Sequence, residues 1–97
     1  MSTQVLNRPD VQSDVKRKHD HGYRVLLHND DFNSMEYAVE VLMTTISGMT
    51  EPQAVSIMME THTTGKGLVI TCALEHAEFY CEQLKSHGLT STIEPAE

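Results

Sequence analysis

Tyr23-Arg24-Val25-Leu26-Leu27-His28-Asn29-Asp30-Asp31-Phe32-Asn33-Ser34-Met35-Glu36-Tyr37 holds in one run a strand, a turn and the start of a helix. Residues 23–28 are rich in strand formers. Asn29-Asp30-Asp31 stops the strand, because short polar side chains bond their own backbone and favour turns. Asn33 predicts a helix N-cap, with Glu36 three residues on as its capping-box partner. Phe32 before the cap and Tyr37 inside the helix are spaced for a hydrophobic staple. Met35, Ala38, Val39, Leu42 and Ile46 fall on one helical face, and Gly48 closes the run.

Toward the carboxyl end the same grammar repeats. Thr50-Glu51-Pro52-Gln53 offers a threonine cap, a glutamine box partner and a proline in the first turn. The helix it starts carries Ala54, Val55, Ile57, Met58, Thr61 and His62, and Gly65-Lys66-Gly67 breaks it. Leu68-Val69-Ile70-Thr71-Cys72 reads as a strand with Leu68, Ile70 and Cys72 on one side. A third helix has Ala77, Tyr80, Cys81 and Leu84 as its apolar face and Gly88 at its end. Glu75 and Glu78 suit its positive amino end, although no good capping side chain precedes them. Thr90-Ser91-Thr92-Ile93 is a short last strand. The order strand, helix, helix, strand, helix, strand predicts a two-layer α+β domain with its helices stacked on one sheet face.

Toward the amino end the pattern dissolves. Residues 1–21 show no helical or alternating period, and Asp10, Asp14 and Asp20 surround the basic run Lys16-Arg17-Lys18. They are expected to form a solvated, flexible extension, which leaves 22–97 as the folded domain. A chain of 97 residues holds one domain. Its formal net charge of −7 argues against a partner recognised through a nucleic-acid backbone. No apolar run reaches the roughly 18–20 residues of a membrane span, so no membrane partner is expected. The amino terminus lacks an apolar signal core, and two cysteines, Cys72 and Cys81, are too few for a secreted disulfide framework. The expected address is the cytoplasm.

Little in the chain supports catalysis. Six histidines and an Asp-Asp pair invite a metal, but His28, His62, His76 and His87 share no ligand spacing. Asn29-Asp30-Asp31 lacks the glycine and distal glutamate of a calcium loop. No nucleophile elbow appears, and Gly65-Lys66-Gly67 enters a strand where a phosphate cradle would open a helix. No enzyme activity, cofactor or metal is expected. What remains is the acidic turn at a strand-to-helix junction, followed by helices presenting Met35, Met58 and His62. Such an arrangement can make an apolar hole with an acidic, hydrogen-bonding mouth, which suits a small cation attached to an apolar group.

Residues 28–37 resemble the N-D-D-aromatic-x-x-M-E segment of the ClpS family, and His62-Thr63-Thr64-Gly65 is similar to the family's H-x-x-G motif. The likeness covers roughly residues 22–94. It implies a ClpS-like fold, a three-stranded antiparallel sheet with three helices packed on one face, in agreement with the two-layer reading. It also implies an adaptor that binds the free amino-terminal residue of N-degron proteins and hands them to a Clp AAA+ ATPase and its protease. By this resemblance Asn29, Asp30 and His62 hold the amino group, with His62 neutral so that a ring nitrogen can accept. Met35, Ala38, Met58, Thr61 and Leu89 are implied to line the side-chain pocket, and Asp31 and Asn33 to support it. Glu75 and Tyr80 are implied to touch the N-domain of the ATPase, and residues 1–21 to engage it during delivery.

Ala38 stands where the family usually carries a bulkier aliphatic residue, and Thr61 where it carries valine. Those changes imply a wider and more polar hole that admits aromatic first residues, with Met35 at the rim obstructing β-branched ones. Tyr80 replaces a usual lysine. An interaction module or ATPase inhibitor with a degenerate pocket is the alternative. A third reading is a metal-dependent hydrolase using Asp30 and Asp31.

Overall fold

The computed structural model describes residues 21–96. The extension expected over residues 1–21 therefore lies, but for His21, outside the described residues. The element order is β1 (Tyr23–His28), α1 (Met35–Thr45), α2 (Glu51–Thr64), β2 (Lys66–Cys72), α3 (Leu74–Ser86) and β3 (Thr90–Pro95). The three strands form one antiparallel sheet in the order β2-β1-β3. No helix among the described residues is long and apolar enough to cross a membrane.

β1 is central because its consecutive Val25, Leu26 and Leu27 are all buried. Val25 and Leu27 join the helix-facing core with Ala38, Val41, Leu42, Ala54, Met58, Ala77, Leu84 and Leu89. Leu26 points to the other face, where alternation also puts Arg24 and His28. There the Arg24–Glu94 ion pair and the hydrogen bond between His28 Nε2 and Thr92 Oγ1, at 2.7 Å, flank it. The face without helices is thus closed by cross-strand polar pairs.

The register corrects one expectation. Val25 pairs with Ile70 but Leu26 pairs with Leu68, so Val69 is an extra residue, a β-bulge. The bulge flips the strand's alternation, leaving Ile70 and Cys72 opposite Val25 and Tyr23 while Leu68 stands opposite Leu26, 41% exposed. Leu68, Ile70 and Cys72 therefore do not share a side, and Val69 fills the core instead.

The helix ends are local chemistry. α2 begins as expected, with the complete Thr50–Gln53 capping box and Pro52 in its first turn, and ends at Gly65 with φ +98°. α3 has no side-chain cap and closes through Gly88 at φ +91°, whose N–H donates to the Lys85 carbonyl while the Leu89 N–H donates to that of Leu84. This pair of bonds is a Schellman motif, and it turns Leu89 into the core. α1 differs from expectation: its N-cap is Ser34, whose Oγ accepts from the Tyr37 N–H at 3.1 Å. Phe32 is 93% exposed, so the expected staple with Tyr37 is absent.

Candidate functional site

A small cavity opens where β1, the β1–α1 turn, α1, α2 and the α3–β3 loop converge. Leu27, His28, Asn29, Asp30, Asn33, Ala38, Met58 and Leu89 line it. Its floor is apolar and its mouth polar. Its volume, about 20 Å³, is room for one water-sized sphere. A bulky side chain enters only if the lining yields, and Met58, unbranched and flexible, is the wall best able to yield.

Asp30 organises the mouth. Its Oδ1 accepts from the backbone N–H groups of Phe32 and Asn33, each at 2.8 Å, and its Oδ2 accepts from Asn33 Nδ2 at 3.1 Å. Partial burial pushes this carboxyl up, but the hydrogen bonds from the backbone and side chain of Asn33 and the backbone of Phe32 outweigh it. The group is held below its ordinary value and stays ionised. A carboxylate offers about four lone-pair sites. The turn uses three of them, leaving one on Oδ2.

Asn33 closes the turn onto a distant loop. Its Nδ2 donates both to Asp30 and to the Gly88 carbonyl at 2.9 Å, which leaves its Oδ1 as an acceptor. One helical step on, the Tyr37 hydroxyl donates to the His87 carbonyl at 2.7 Å. These two bonds tie the start of α1 to the end of α3, and Leu89 follows directly. Asn33 thus clamps the turn from inside, and the cap of α1 is the next residue, Ser34.

Of the residues expected at the site, Asn29, Asp30, Asn33, Ala38, Met58 and Leu89 line this cavity, while Met35, Thr61, His62 and Asp31 do not. Met35 borders a shallow groove between α1 and α2 with Val39, Met43 and Val55. Thr61 is fully buried, its Oγ1 donating to the Ile57 carbonyl at 2.8 Å. A Cβ built on Gly67 would fall 2.3 Å from that Oγ1, so Thr61 is where α2 presses onto β2. His62 is exposed on the last turn of α2. That turn is tied to the mouth by the Asn29 N–H, which donates to the Gly65 carbonyl at 3.0 Å. Asp31 is exposed.

Leu27 and His28 line the cavity although they were read only as strand residues; their place at the end of β1, directly before the acidic turn, was the available signal. On α3, Glu75 is exposed, and Tyr80 is half-buried against the core with its ring 5.9 Å from that of Phe79.

Two other features bear on the chemistry. A roomier concavity, about 590 Å³, lies between Pro52, Ile57, Leu68 and Ile70, and no charged residue lines it among the described residues, so it offers no counter-charge for a cation. Among the described residues no group of three or more histidine, cysteine, aspartate or glutamate side chains is arranged to hold a metal.

Comparison with known proteins places this architecture. The family model for the ATP-dependent Clp protease adaptor protein ClpS matches residues 18–92. The chain is 63% identical over 95 residues to the ATP-dependent Clp protease adapter protein ClpS of Synechococcus elongatus, covering 98% of each chain. It is 55% identical over 95 residues to that of Gloeobacter violaceus, again covering 98% of each. The solved structure of Agrobacterium tumefaciens ClpS2 bound to L-phenylalaninamide is similar, with a TM-score of 0.68 and 33% identity over 75% of this chain and 94% of that one. The fold and site define a non-catalytic adaptor that works beside an ATP-driven protease. The chain belongs to the ClpS family of ATP-dependent Clp protease adaptors.

Proposed function

We propose that this adaptor captures proteins by a free amino-terminal residue with a bulky apolar side chain and delivers them to the N-domain of a Clp ATPase. One observation carries the reading: an ionised carboxylate with a spare lone pair, Asp30, at the mouth of an apolar cavity. An α-ammonium has three N–H donors and needs acceptors around it. Asp30 Oδ2 and Asn29 supply two, and His62 supplies a third from the turn bonded to Asn29. Ala38, Met58 and Leu89 receive the side chain, with Met35 at the rim and Thr61 holding α2 in place. L-phenylalaninamide, bound by the Agrobacterium protein, carries the same pair of groups, a free amine and an apolar ring. On α3, exposed Glu75 and half-buried Tyr80 offer the ATPase a contact, and residues 1–21 extend it during delivery. The compartment we propose is the cytoplasm, where free thiols such as Cys72 and Cys81 persist.

Each charge-assisted hydrogen bond contributes about 1.5–3 kcal/mol, and burying a large apolar side chain a similar amount. Association costs consume much of that sum, so micromolar or weaker affinity is expected. Titration with a peptide beginning in Leu or Phe, beside its acetylated twin, tests the reading. The free-amine peptide should bind and the acetylated one should not. The small volume of the cavity favours one rival, an interaction module with a degenerate pocket. Equal behaviour of the two peptides would select it.

Two further outcomes follow from the same geometry. The ligand's α-amino group has a free value near ~7.7–8.0 and must be protonated to donate, so affinity should fall above about pH 8. Asp30, held low, stays charged well into the acid range, so mild acidification should leave its part of the binding intact. Ala38, 2% exposed, lies in the lining, and Ala38→Val adds bulk to a cavity of only about 20 Å³. The affinity ratio for Phe- over Leu-initiated peptides should drop in that variant, and an unchanged ratio would show that Ala38 does not tune the hole.

A further inference from the structure

Phe32 has no structural explanation in the fold. The chain contains two phenylalanines, and both are on the surface: Phe79 is 57% exposed and rests on the ring of Tyr80, while Phe32 is 93% exposed. Full exposure of an aromatic ring forgoes roughly 1.5–3 kcal/mol that burial would contribute. The obvious local partner, Tyr37, is engaged with the α3–β3 loop through its hydroxyl. Yet the residue is not loosely placed. Its backbone N–H donates to Asp30 Oδ1 at 2.8 Å, and the next residue, Asn33, is bonded both to Asp30 and to Gly88. The turn is pinned on both sides, so the backbone that carries the ring is held between two residues that line the cavity, Asp30 and Asn33.

We infer that Phe32 is a specificity-determining residue of the capture site, packing against the side chain of the ligand's second residue. The inference rests on the capture reading above and deepens it. If the first residue's ammonium sits on Asp30 and its side chain enters the cavity, the peptide bond that follows must leave through the mouth, beside the backbone that presents Phe32. The second side chain therefore emerges beside the turn that carries this ring, which is 93% exposed. An apolar second residue covers part of that ring, whereas glycine leaves it wet. One such contact is worth about a three- to tenfold change in affinity.

Two free-amine peptides that differ only in the second residue, Leu-Leu and Leu-Gly, are titrated against the full chain, Phe32→Ser and Phe32→Tyr. The unmodified protein should bind Leu-Leu about three- to tenfold tighter than Leu-Gly. The preference should vanish in Phe32→Ser, survive in Phe32→Tyr, and leave Leu-Gly affinity within about twofold throughout. Thermal stability should not move, since the ring is 93% exposed and the turn's bond uses the backbone. A preference that persists in Phe32→Ser, or an equal loss for both peptides, overturns the assignment. Failure of both peptides to bind the unmodified protein overturns the capture reading itself, and this inference with it.

Discussion

Asp30→Ala is expected to weaken binding of a Leu- or Phe-initiated peptide about ten- to a hundredfold, the worth of one charge-assisted hydrogen bond. The carboxylate at the cavity mouth is held in its ionised form, and an ammonium there loses the one carboxylate among the described lining residues when it is removed. The variant also loses the bonds to Phe32 and Asn33, so part of the effect passes through the turn. Asp30→Asn separates the two: its carbonyl can still accept from the two backbone N–H groups, but the charge is gone. A comparable loss in Asp30→Asn assigns the effect to charge, while affinity kept in a folded Asp30→Asn protein removes the counter-charge role. Asp31→Ala, changing an exposed neighbour, should bind within about twofold of the unmodified protein, since surface substitutions are usually small in effect.

The same carboxyl gives the fold a pH signature. Its folded value lies below its unfolded one, so it stabilises the native state above about pH 4. That contribution is lost as the pH falls through the folded value. Urea unfolding at pH 7 and again near pH 2.5 should show the difference between the unmodified protein and Asp30→Ala shrinking on acidification. A difference that grows on acidification would contradict the turn's hydrogen-bond pattern.

The largest stability effect is expected from Gly67→Ala. A Cβ there would fall 2.3 Å from Thr61 Oγ1 and 2.8 Å from the Ile57 carbonyl oxygen, and the second of these is helix backbone that cannot rotate away. α2 must lift off β2, at a cost of about 3 kcal/mol or more. For a domain of this size that is a fall of roughly 12 °C or more in Tm. Because α2 carries Met58 and His62, peptide affinity should fall with it. Adding Thr61→Ala removes the nearer clash but leaves the carbonyl, so the double variant should recover only part of the lost stability. A Gly67→Ala protein melting within about a degree of the original would mean that the two elements are not in this close contact.

Much of this fold is legible in the chain because it is decided between near neighbours. The Thr50–Gln53 box, Pro52 in the first turn of α2, the glycines that close α2 and α3, and the polar run that ends β1 all act within about four residues. The element order and the acidic turn could be read from such local rules, and so could the family likeness, which rests on motifs of contiguous residues. The remainder was settled by groups far apart in sequence competing for the same hydrogen bonds and the same space. Asn33 has the chemistry of a cap, but its side chain ties the turn to the Gly88 carbonyl, 55 residues away, and α1 starts one residue later with Ser34 as its cap. Alternation puts Leu68 with Ile70 and Cys72, but the bulge at Val69, seen only in the pairing with β1, separates them. The family likeness implies Thr61 as a pocket wall, and the missing side chain of Gly67 brings it also into the contact between α2 and β2, which no local pattern announces. A local pattern states what each residue can offer, and only the tertiary fold brings up the distant partner that accepts the offer.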